Sequence, residues 1–166
     1  KPSGASMQDR MWNYLANVKF KALYTVYASR RAYNFGNYYS LFLAVASASS
    51  VSAWAFWDRY PLVWAFIIGV AQVLHIAKPY IPFVKGDREL MEISLQYELL
   101  YLSYEKLWFD SAKESSNGDS IEKRFYACRD KEHDINTRFK HIMCPEINSL
   151  INRADTETDQ YLQTNF

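Results

Sequence analysis

The sequence predicts an all-α fold, a membrane protein with a two-helix transmembrane hairpin and a cytosolic helical bundle. Two long uncharged stretches with basic flanks point that way. So does an aromatic content of 17%, with 13 Tyr and 5 Trp among 166 residues. Such rings collect where a membrane meets water. Mean hydropathy is only −0.28, so the apolar signal is local. A net charge of +1 offers no field for nucleic acid, and direct nucleic-acid binding is not expected.

The chain divides in order. Residues 1–6 read as a tag remnant, with Met7 as a native start. Residues 7–36 read as an amphipathic cytosolic helix. Met11, Leu15, Val18 and Ala22 recur four, three and four apart, and Asn34 with Gly36 is expected to weaken it. Residues 37–84 read as the hairpin, with spans at about 38–57 and 61–78. No charge occurs from Ala32 to Trp57, and Asp58, Arg59, Tyr60 and Pro61 form a turn signal. A second uncharged run reaches Ala77, and Pro79 and Pro82 close it.

Lys19, Lys21, Arg30 and Arg31 precede the spans, and Lys78, Lys85 and Arg88 follow them. Basic residues stay on the cytoplasmic side, so both termini are expected in the cytoplasm and the spans in the inner membrane. Neither span is strongly apolar. The strongly apolar residues between Leu62 and Ile76 supply about −4 kcal/mol of insertion free energy. Insertion as a pair is therefore expected.

Residues 85–152 read as the cytosolic helical region. Leu90, Ile93, Tyr97, Leu100, Tyr104 and Leu107 alternate three and four apart, and the first five form a candidate oligomer seam. Ile121, Phe125, Cys128, Ile135, Phe139 and Ile142 share a second heptad pattern, which Glu132 interrupts. Pro145 suits the start of a last short helix, and residues 153–166 read as a polar tail.

No phosphate-binding glycine loop, nucleophile elbow or paired-cysteine motif is present. His141 and Cys144 have metal-like spacing but no second pair. No enzyme activity, metal or cofactor is expected. Cys128 and Cys144 read as reduced thiols. More telling are polar groups inside the spans: Ser47 and Ser50 on the first, Gln72 and His75 on the second. They either fix helix packing by hydrogen bonds or line a water path. Small residues at Ala44 and Ala48, and at Ala65 and Gly69, are spaced for close helix approach.

The stretch Ala28-Ser29-Arg30-Arg31-Ala32-Tyr33-Asn34-Phe35-Gly36-Asn37-Tyr38-Tyr39-Ser40-Leu41-Phe42-Leu43, running into an Ala/Ser-rich segment, resembles the SLATT family. These are two-transmembrane domains of prokaryotic, nucleotide-linked conflict systems. The resemblance extends over about Met11 to Trp108. It implies a homo-oligomeric effector in the lipid bilayer that permeabilises the cell membrane on a trigger and stops phage spread by abortive infection. The trigger would be a sensor protein or a nucleotide signal. The competing expectation is a non-conducting membrane scaffold that recruits a partner through its cytosolic heptad helices.

Overall fold

The computed structural model describes residues 7–52, 61–77, 87–112, 118–142 and 146–166, with the side chains of 48–52 and 87 left aside. Five helices account for nearly all of them: α1 Met7–Ser52, α2 Pro61–Ala77, α3 Asp87–Ser111, α4 Gly118–Arg138 and α5 Asn148–Asn165. Two compact units result. One combines residues 1–29 with 88–166, and the other is 30–87.

The helical bundle of the first unit is built from heptad stripes. On α1 the buried positions are Met11, Leu15, Val18, Ala22, Thr25 and Ser29. The two hydroxyls in that stripe are satisfied locally, Thr25 by the Lys21 carbonyl at 2.7 Å and Ser29 by the Val26 carbonyl at 2.8 Å. On α3 Leu90, Ile93, Tyr97, Leu100, Tyr104 and Leu107 are all buried. On α4 the buried set is Ile121, Phe125, Cys128, Glu132 and Ile135.

Contacts fix the directions. Trp12 meets Trp108, Tyr14 meets Tyr104 and Lys19 meets Tyr101, so α3 runs antiparallel to α1. Tyr14 with Phe125 and Lys21 with Glu132 make α4 parallel to α1. Tyr27 with Glu157 and Trp12 with Phe166 make α5 antiparallel to α1. The four helices alternate in direction, as a bundle with successive antiparallel neighbours requires.

α5 departs from the expected short helix and polar tail. It continues to Asn165 because Ala154, Thr158 and Leu162, four residues apart, are buried. Phe166 then stacks on Phe109 with ring centroids 5.2 Å apart. α1 also departs, running through Asn34 and Gly36 without interruption. A Cβ at Gly36 would meet nothing within 4 Å, so this glycine serves no close approach.

The expected transmembrane hairpin is overturned. Among the described residues no helix is long and apolar enough to cross a membrane. α2 has 17 residues, about 25 Å of helix against a hydrocarbon core of about 30 Å. The expected first span, 38–57, coincides with α1 only as far as Ser52, and residues 53–57 lie outside the described residues. What α1 contributes there is rich in Tyr and Ser, uncharged but weakly apolar. The described residues are all-helical, but among them neither expected span is a helix long and apolar enough to cross a membrane.

Leu100 is buried between α3 and α4, and an aspartate there gives up that apolar burial. Leu100→Asp is expected to cost about 4 kcal/mol or more. A chemical-denaturation midpoint equal to that of the parent would contradict the packing.

Candidate interaction surface

In the unit of residues 30–87, α1 and α2 are tied by the Tyr39 hydroxyl, which donates to the Leu74 carbonyl. The least exposed positions on this part of α1 are Ala32, Gly36, Tyr39, Leu43 and Ala46, alternating four and three apart. The half-buried positions of α2 include Trp64, Ile67, Ala71 and Leu74. These two stripes, rather than the small residues read from the sequence, are the shielded faces. Ala44, Ala65 and Gly69 are exposed, and the Ala48 side chain lies outside the described residues.

The polar candidates are equally open. Ser47 donates to the Leu43 carbonyl at 2.8 Å and is exposed. Gln72 and His75 are exposed, and the Ser50 side chain lies outside the described residues. None of Ser47, Gln72 and His75 is enclosed between helices.

What dominates this unit is apolar surface without cover. α2 has no buried residue at all. Leu62 is 84% exposed and Phe66 72%, and Val63, Val73 and Ile76 are open as well. Tyr38, Leu41, Phe42 and Val45 add to it from α1. A helix that is apolar all round is normally enclosed by protein or lipid. Contiguous apolar surface on this scale marks an interaction site. Arg30 and Arg31 at the start of the unit are exposed and positive.

The other unit holds its polar groups inside. All five candidate seam residues, Leu90, Ile93, Tyr97, Leu100 and Tyr104, lie in the interior of the chain's own bundle. Glu132, which breaks the heptad, is buried there and accepts from Lys21 Nζ at 2.7 Å. Tyr97 donates to Asn136 Oδ1 at 2.6 Å. Lys19 lies between two rings, 4.4 Å from the centre of Tyr101 and 3.7 Å from that of Tyr161. Both phenols donate to Glu105 Oε1. Burial lowers the Lys19 pKa, with Glu105 and Glu98 working against it. Lys19 and Tyr161 carry no local sequence signal for these contacts, because their partners lie far along the chain.

This interior offers little chemistry. Burial pushes the Cys128 thiol up, away from the thiolate a nucleophile needs. No group of three or more His, Cys, Asp or Glu side chains is placed to hold a metal among the described residues. The chain matches no family model, no curated protein and no solved structure. The SLATT resemblance therefore rests on the sequence pattern alone.

The Tyr104 hydroxyl is buried and has no hydrogen-bond partner among the described residues. Tyr104→Phe removes a desolvated donor and keeps the ring packing, so it should be neutral or stabilise by up to about 1 kcal/mol. Burial also raises the pKa of Tyr101 and of Tyr104 above the ordinary phenol value. A raised native pKa gives stability that is complete below the unfolded value, about 10, and lost as pH climbs past it. Thermal melts across alkaline pH should show that decline, shallower in Tyr104→Phe. A flat profile would contradict the burial of these phenols.

Proposed function

We propose that this chain is an oligomeric effector that acts at the bacterial inner membrane and permeabilises it on a trigger. The observation that carries the reading is α2, a strongly apolar helix with none of its 17 residues buried. Lipid is the cover that suits it, with the α1–α2 surface lying against the bilayer by its side. The exposed guanidinium groups of Arg30 and Arg31 would favour anionic headgroups. Permeabilisation is then the work of several copies together, since no single described helix is built to cross. The bundle of 1–29 and 88–166 is the part left in water, where a sensor protein or nucleotide signal would act. The SLATT-like stretch in α1 agrees with this reading.

The test uses purified chain with vesicles of phosphatidylethanolamine and phosphatidylglycerol holding a trapped dye. The parent should float with the vesicles, and crowding on the vesicle surface takes the place of the trigger by driving assembly, so dye should be released as surface density rises. A double variant, Leu62→Glu with Phe66→Glu, gives up roughly 1.5–3 kcal/mol of burial at each site, so vesicle affinity should fall about a hundredfold or more. A parent that binds but never releases dye would replace this reading with the non-conducting scaffold. A parent that does not bind vesicles would end both.

A further inference from the structure

α3 is apolar on two sides. Its inner stripe is spent on the bundle. On the opposite side Met91, Leu95, Leu99, Leu102 and Phe109 form a second stripe, each at least half exposed, with Leu99 at 61%. The spacing is four, four, three and seven, the same alternation that drives helix pairing elsewhere in this chain. We propose that this outer face of α3 is a homodimer interface in which two copies pack α3 against α3, antiparallel, about a two-fold axis between Leu99 and Leu102. The inference deepens the assembling reading above and rests on it for what assembly accomplishes.

Self-complementarity points to a second copy. With the axis between Leu99 and Leu102, Leu99 of each copy meets Leu102 of the other. Met91 of each lies one helical step from Phe109 of the other, so the two bulkiest ends of the stripe meet one another. The charges fit the same register. Lys106 of each copy comes within one helical turn of Glu92 of the other, on the same side of the contact. Lys106 and Glu92 are both exposed in the single chain. Glu92 is held toward that side by Arg138, which donates to its Oε1 at 2.8 Å. A parallel arrangement would instead leave Lys106 of one copy about 21 Å along the axis from Glu92 of the other.

The surroundings accept a partner. A groove of about 340 Å³ between α3 and α4 runs beside Leu99, floored by Leu100 and Ile135. Partner side chains would enter it. The stripe extends from Met91 to Phe109, 19 residues and about 27 Å along the axis, and is roughly one helix wide. That is enough apolar surface to mark an interface but less than the roughly 800 Å² per partner of a standard one. The dimer should therefore be reversible and concentration-dependent.

The experiment uses full-length chain without lipid, with Cys128 and Cys144 replaced by alanine, and a short bis-maleimide linker. Met91→Cys copies mixed with Phe109→Cys copies should cross-link, while either variant alone should not. Leu99→Lys should raise the dimer dissociation constant at least tenfold by sedimentation. The proposal is overturned if Met91→Cys cross-links to itself as well as to Phe109→Cys, or if Leu99→Lys sediments like the parent. Association through the open α2 surface would give that second result. Vesicle leakage is scored separately. A chain that dimerises in this register but leaves vesicles sealed keeps the interface and loses only the membrane reading. A chain that releases dye without the mixed product loses the interface alone.

Discussion

The packing of the first turns of α1 against α3 is the constraint on which the rest depends. Met11 to Ser29 on one side and Leu90 to Leu107 on the other are separated in sequence by the entire second unit. Closing so long a loop costs entropy that local helix formation cannot return. The return comes from side chains removed from water, Leu15, Val18, Tyr104, Leu107 and Phe125 among them, all nearly inaccessible. Once α1 and α3 are joined, α4 and α5 each find a groove beside them, and residues 30–87 are held at both ends by the closed bundle.

Polar groups specify how those grooves are filled. Glu132 and Lys21 form an ion pair with the carboxylate buried, a costly arrangement that becomes tolerable only at good geometry. Its value lies in register. A slip of α4 along α1 by one turn would leave a buried carboxylate without its cation. The Tyr101, Tyr161 and Glu105 cluster with Lys19 among its rings does the same for α5, whose own apolar content is slight. Both sets fix the alignment of helices in the bundle.

How much of this was legible follows from where each residue's partner lies. The α3 seam was readable because large apolar residues recur at every third and fourth position, and periodicity is a local property. Glu132 read as an interruption because Lys21 stands 111 residues away. α5 read as a tail because its buried stripe is one alanine, one threonine and one leucine, with nothing for hydropathy to register. The expected hairpin fails for a different reason. Absence of charge from Ala32 to Trp57 suggests membrane character, yet Tyr, Asn, Gly and Ser supply much of that stretch. Helix length and apolarity must be satisfied together, and α2 meets the second without the first. The open apolar face of α3 is not legible, because sequence alone does not say which of two apolar sides a bundle will use.

On the proposed reading the bundle unit fills its own core, while lipid completes the open apolar surface of residues 30–87. Amide hydrogen exchange of the full chain, with and without phosphatidylglycerol-containing vesicles, tests it most directly. Amides of α1 up to Ser29, α3 and α4 should exchange together, at the cost of opening the whole bundle, and should not change on adding vesicles. Amides of Pro61–Ala77 should exchange faster and gain protection when vesicles are present. Equal protection of α2 in both conditions, or vesicle-dependent protection confined to the bundle, would contradict the account.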